Sequence, residues 1–197
     1  MDNLSPGRLK VLQAVSTLLE DNAVKITTAK IAQKVGVSEA AIYKHYKSKS
    51  EIFNALMAYI EGHLLTPLNQ AQQESQNTKT RLQYIYKTYM EFFEGHPGLA
   101  KIVLNQTSAE TSSIYDSVKT VNAKVRSQLA QICKFGHANK ELNENFTAEE
   151  IAESFYSLVM SFALTQSLDL PALDKIDRWV VFSKVFINEN QTPNQQG

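Results

Sequence analysis

Between Ile114 and Ile132 apolar side chains recur every three or four residues: Ile114, Val118, Val121, Val125, Leu129 and Ile132. A strand alternates with a period of two and cannot present that stripe on one face; a helix can. The same spacing returns in Leu82, Ile85, Tyr86, Tyr89 and Phe93, and in Ile151, Phe155, Leu158, Val159 and Phe162. Each run must lay its apolar face against another element. No segment keeps strand-like alternation for long. Only 7 glycines and 5 prolines punctuate the 197 residues, too few for the turns of an all-β fold. The chain therefore reads as all-α, with about nine helices at 5–21, 28–35, 38–46, 48–74, 80–94, 97–106, 110–135, 147–168 and 172–188. Pro67 falls inside the fourth span and is expected to kink or split it. Ser48 and Glu51 form a capping-box pattern at its start.

The stretch from Ile26 to Lys49 carries the most specific signal. Thr27 or Thr28 caps a short helix with Ile31, Ala32 and Val35 on its apolar face. Gly36 suits the left-handed residue that ends a helix, and Ser38 caps a second short helix. Two short helices around a tight glycine turn make a helix-turn-helix. On the second helix Ile42 and Tyr46 fall on one side with Ser38 and Glu39, and Ala40, Tyr43, Lys44 and Lys47 on the other. The outward face is thus small, aromatic and basic, as entry into a DNA groove requires. The whole chain balances 20 basic against 20 acidic residues, yet residues 25–49 hold six lysines against Glu39 alone. Positive charge is concentrated where the motif lies, as localised DNA binding demands.

Residues 8–56 resemble the N-terminal domain of the TetR family of bacterial DNA-binding regulators. The resemblance rests on Thr28, Ile31-Ala32, Gly36-Val37-Ser38, Ile42-Tyr43, His45-Tyr46, Lys49 and Leu56; the family usually has Phe where this chain has Tyr46. It implies a homodimer in which three N-terminal helices read a palindromic double-stranded DNA site. The implied organisation is a DNA-binding domain at 1–47, a helical dimerisation and regulatory domain at 48–190, and a disordered tail at 191–197. By the same resemblance Thr28 touches a phosphate. Ser38, Ala40, Ala41 and Lys44 face base edges or adjacent phosphates, and Tyr43, His45 and Lys49 hold the backbone; Lys47 joins them from the wheel. Ala40 and Ala41 offer only apolar contact, so Lys44 is the base-reading candidate. Ile26–Ile60, Thr80-Arg81-Leu82 and His96-Pro97-Gly98-Leu99 are also similar to the nucleoid occlusion factors of that family. Those proteins bind dispersed chromosomal sites and antagonise the tubulin-like division GTPase. Two functions follow from the resemblance: a transcriptional repressor, with a small-molecule effector as its switch, or a nucleoid occlusion factor.

In the second half Tyr86, Tyr89, Met90, Phe93, Phe155 and Phe162 read either as ordinary core or as the lining of an effector pocket. The last helix is apolar on more than one face, with Trp179, Phe182 and Phe186 among its side chains. Together with Phe155 and Phe162 these make a candidate dimer interface, or a central core helix. Cys133 and His137 are four apart, but two ligands do not close a zinc site and nothing marks the thiol as activated. His63 and His96 read as packing and turn residues. No carboxylate pair, nucleophile set or phosphate loop marks an enzyme, and no cofactor or metal is expected. No run has the length of a membrane span and the N-terminus lacks a signal-peptide pattern, so a cytoplasmic, nucleoid-associated location is expected.

Overall fold

The computed structural model describes residues 4–21, 23–73, 77–106, 112–170 and 177–188. Among these, nine helices follow one another: α1 (Pro6–Glu20), α2 (Thr28–Val35), α3 (Glu39–His45), α4 (Lys49–Gln73), α5 (Thr78–Gly95), α6 (Pro97–Val103), α7 (Ser112–Ala138), α8 (Ala148–Ser167) and α9 (Arg178–Phe186). An isolated antiparallel bridge pairs Leu142 with Ile187 and pins the end of α9 to the α7–α8 turn. No helix among the described residues is long and apolar enough to cross a membrane. The tail expected at 191–197, and the start of the last helix expected at 172, lie outside the described residues.

The caps explain where the helices begin. Ser5 accepts the Arg8 N–H, and Pro6 opens α1 where a missing N–H costs nothing. Thr27 rather than Thr28 caps α2, accepting from Lys30 at 3.2 Å. At the start of α4, Ser48 accepts the Glu51 N–H at 3.1 Å while the Glu51 carboxylate accepts the Lys47 N–H at 2.6 Å. A reciprocal Thr147–Glu150 capping box opens α8, and Asp177 caps α9.

The bundle packs around α4, α5, α7 and α8. Leu64, Leu68, Leu82, Ile85, Tyr89, Phe93, Leu129 and Phe155 are all within 1% of full burial at its centre. Pro67 does not split α4, which continues to Gln73. A helix-interior proline costs about 3 kcal/mol. Burial of the flanking Leu64 and Leu68 returns about 1.5–3 kcal/mol each, enough to keep the helix whole. The seventh helix does not stop at 135 but runs through Gly136 to Ala138. There glycine serves close packing: a Cβ on Gly136 would meet Thr78 Oγ1 at 2.5 Å. Glu141 beyond it accepts both the N–H (2.8 Å) and the hydroxyl (2.5 Å) of Thr78, capping α5 from across the bundle. The sixth helix is shorter than 97–106, ending before Leu104 and the positive-φ Asn105.

Two contacts join α1 to the body. Gly98 of α6 lies so close to α1 that a Cβ would come within 2.0 Å of the Ser16 carbonyl oxygen. Lys101, 5% exposed, donates its ammonium to the Glu20 carbonyl at the end of α1, where a cation meets the negative end of the helix dipole.

Candidate nucleic-acid interface

The turn between α2 and α3 is fixed locally. Gly36 adopts φ 80°, a conformation that favours glycine, and its N–H donates to the Ala32 carbonyl at 2.9 Å. Ser38 then accepts the Ala41 N–H at 3.3 Å and starts α3. Ile42 (1% exposed) and Tyr46 (0%) turn inward and seat α3 on the core. Ala40, Tyr43, Lys44 and Lys47 are exposed and Ala41 half-buried. Ser38 and Glu39, placed on the inward side by the wheel, are exposed because they belong to the first turn.

Thr28 and Tyr43 come together from the two helices: the Tyr43 hydroxyl lies 3.4 Å from Thr28 Oγ1. Lys49 opens α4, its Nζ 5.7 Å from the centroid of the Phe53 ring. The His45 imidazole faces α1, where a Cβ on Gly7 would approach within 2.4 Å of the ring. The nine residues expected to meet DNA thus lie on α2, on α3, at the start of α4, or in the turns that flank α3, which hold Ser38 and Lys47. Their surface is basic, and its geometry is a short helix held out by two buried anchors.

Sequence reasoning passed over Arg8, whose partners are far along the chain. The Tyr46 hydroxyl donates to the Arg8 carbonyl at 3.2 Å. Burial pushes that hydroxyl above the ordinary phenol range, so it stays a neutral donor. The Arg8 guanidinium lies 4.4 Å from the Tyr46 ring centroid and 3.6 Å from the Glu51 carboxylate. No local pattern announces such a cluster.

The six effector-pocket candidates belong to the core or pack against it. Tyr89, Phe93 and Phe155 are 0% exposed, and the Tyr89 hydroxyl donates to the Leu64 carbonyl. Tyr86 stacks on Trp179 at 5.8 Å, and Met90 and Phe162 are half-buried. Two adjoining hollows of about 400 and 790 Å³ lie elsewhere, between α4 and α7. They share Asp116, Thr120 and Lys124, and Lys124 pairs with Glu61 at 2.6 Å.

The dimer candidates divide by burial within the chain. Phe155, Trp179 (7%) and Phe182 (5%) are buried inside the single chain, Phe182 against Phe155 at 5.4 Å, so they have little surface left for a second copy. Phe162 and Phe186 are half-buried, Phe186 against Phe146. Other apolar side chains in this part of the chain stay open: Leu164 on α8, Leu168 and Leu170 just beyond it, and Val180, Val181 and Val185 on α9, 39–55% exposed. The aromatic face of α9 turns in and its valine face turns out.

Cys133 is 0% exposed, and burial pushes its thiol up to about 12, which removes nucleophilic character at neutral pH. Among the described residues no group of three or more His, Cys, Asp or Glu is placed to hold a metal. His63 stacks on Phe92 (4.9 Å) and gives its Nδ1 to the Tyr59 carbonyl (2.8 Å). His96 stacks on the same ring (5.1 Å), with its Nε2 3.5 Å from the Tyr59 hydroxyl.

Residues 13–56 match the family model described as bacterial regulatory proteins, tetR family. The nucleoid occlusion factor SlmA of Salmonella paratyphi B is 30% identical over 179 residues, covering 87% of this chain and 90% of that protein. SlmA of Salmonella newport matches to the same extent. Among solved structures, a TetR-family transcriptional regulator from Rhodococcus sp. superposes with a TM-score of 0.70 at 15% identity, covering 91% of this chain and 96% of that one. FadR from Bacillus subtilis, solved with stearoyl-CoA, gives 0.65 at 16% identity over 89% and 94%. At these identities the structures speak for the fold alone.

Proposed function

Because this chain belongs to the tetR family of bacterial regulatory proteins, a family whose regulators bind DNA as dimers, we propose that it is a homodimeric, sequence-specific DNA-binding repressor. The observation that carries the reading is α3: a seven-residue helix anchored by Ile42 and its C-cap Tyr46, with Ala40, Tyr43 and Lys44 exposed on it and Lys47 exposed in the turn that follows. Residues 1–47 act as the DNA-binding unit and 48–190 as the dimerisation and regulatory unit. Lys44 reads a base edge, with Ala40 and Ala41 in apolar contact beside it. Thr28, Ser38, Tyr43, His45, Lys47 and Lys49 hold phosphates. Two copies meet through the open leucines at and just beyond the end of α8 and the valines of α9, which sets two α3 helices in successive major grooves, roughly 34–36 Å apart on a palindrome. The role is binding, not catalysis, and DNA as a partner puts the protein on the nucleoid in the cytoplasm.

A second reading, nucleoid occlusion, is favoured by the relation to SlmA, which runs through the body as well as the head. In that reading the body recruits the division GTPase. The packed state of Tyr89, Phe93 and Phe155 supports a protein partner over an apolar effector seated among them.

A genome-wide map of bound sites separates the two. One or a few promoters means local repression; dozens of dispersed palindromes, with DNA-stimulated binding to the division GTPase, means occlusion. On a bound site Lys44→Ala changes base preference, worth about 1–3 kcal/mol at one position. Lys49→Ala weakens all sequences alike and flattens the salt dependence. Identical behaviour of the two variants across sequences refutes the division into reading and holding residues.

A further inference from the structure

Arg8 stands in the first turn of α1, outside the residues matched by the family model. Its guanidinium rests over Tyr46, between His45 and Lys47 in sequence, and the adjacent Gly7 lies against the His45 ring. The first turn of α1 is therefore laid along the last turn of α3, beside two residues assigned to the DNA backbone. Arg8 is held there loosely. Its Nη2 is 3.6 Å from Glu51 Oε1, and both side chains are 37% exposed. A long, solvated pair of this kind contributes little. Among the described residues the Arg8 Nε meets no hydrogen-bond acceptor. The other Glu51 oxygen accepts the Lys47 N–H, so the carboxylate is fixed by the α4 cap and holds Arg8 through one long contact that a stronger partner can displace. A phosphate offers a guanidinium two parallel hydrogen bonds and outcompetes one oxygen at that distance.

We propose that Arg8 is a DNA-backbone contact, held by Glu51 in the free protein and passed to a phosphate when α3 enters the groove. The proposal rests on the DNA-binding reading above. Glu51 then has two tasks: it caps α4, and it competes with phosphate for Arg8, which restrains attachment to arbitrary sequence. The competition is independent of base sequence, because it concerns the backbone alone.

The test uses the full chain and two labelled duplexes, one selected from a random pool by the unaltered protein and one scrambled, titrated from 50 to 200 mM salt. Each phosphate neutralised contributes about 0.9 to the logarithmic salt slope, so a dimer carrying Arg8→Gln has a slope flatter by roughly 1.8. The advantage of the unaltered protein then shrinks about 12-fold across that salt range, on both duplexes. Arg8→Lys keeps the slope. Glu51→Gln retains the cap through its amide oxygen, keeps the slope and binds both duplexes more tightly, the scrambled one included. An unchanged slope in Arg8→Gln overturns the assignment of Arg8. Equal or weaker binding by Glu51→Gln overturns the competition, and carries the test alone if Arg8→Gln fails to fold. If the unaltered protein binds neither duplex, it is the DNA reading that fails.

Discussion

Replacing Gly98 by alanine tests how the head is joined to the body. The new Cβ would stand 2.0 Å from the Ser16 carbonyl oxygen, 3.0 Å from its carbon and 3.1 Å from Leu19 Cβ. The first two are backbone atoms inside α1 and cannot rotate aside. Ordinary contact begins near 3.4 Å, so α1 and α6 must part by more than an ångström. Overpacking of this kind costs about 1–3 kcal/mol. The displacement also stretches the hydrogen bond from Lys101 to the Glu20 carbonyl, now 2.5 Å. Losing a bond from a charged donor adds about 1.5–3 kcal/mol. At about 2–4 °C per kcal/mol for a chain of this size, the variant melts roughly 5–24 °C lower. Thermal melts by circular dichroism measure it, with DNA affinity read well below the transition, where it falls because α1 carries the recognition unit. Gly62→Ala is the control: Gly62 lies within α4 with nothing within 4 Å of its Cβ position. It stabilises by about 0.4–1 kcal/mol through loss of chain entropy in the unfolded state. A Gly98→Ala protein that melts within 2 °C of the original refutes the argument, since it would mean the two helices slide apart without cost.

Stability and thiol burial carry two further tests. Burial holds His63 below its ordinary pKa of 6.5, with the nearby His96 acting in the same direction and the hydrogen bond to the Tyr59 carbonyl opposing both. The unfolded chain therefore binds the proton first, and the stabilising contribution is complete above pH 6.5 and lost as pH falls through the lower folded value. Melting temperature should drop between pH 7 and 5, and His63→Phe should flatten the drop in that interval; an unchanged profile assigns the effect elsewhere. Carboxylates such as Glu149, held down chiefly by its hydrogen bond to Lys134, titrate in a more acidic window and do not obscure it. Cys133, with its thiol near 12 and no exposed surface, should resist iodoacetamide in the folded protein and react at once in denaturant. Rapid labelling without denaturant would show that the α7–α8 seam opens.

What was legible in the sequence depends on the range of the interaction. Thr27, Gly36 and Ser38 act on amides within four residues, so the helix-turn-helix could be read directly and its boundaries hold. Gly136 has the same look as Gly36 and the opposite use. Its meaning comes from Thr78, a residue from another helix, and no local pattern distinguishes a glycine that ends a helix from one that admits a neighbour. Arg8 escaped for that reason too, because its importance lies in Tyr46 and Glu51. The last helix shows the limit most clearly. A wheel that is apolar on two faces states that both are buried, but not by what. Large aromatic side chains drew attention as interface anchors, yet a ring gains most where it is enclosed on all sides. Trp179 and Phe182 went to the interior of their own chain, among Tyr86, Phe155 and Phe186. The smaller Val180, Val181 and Val185 were left outside. Three exposed β-branched side chains lose little rotamer freedom when a second copy covers them. A two-fold contact built on such a surface is stabilised by area rather than by a few anchors. Substitution of one valine should therefore loosen the dimer gradually, whereas a charge at Val181, the most exposed of the three, should separate it.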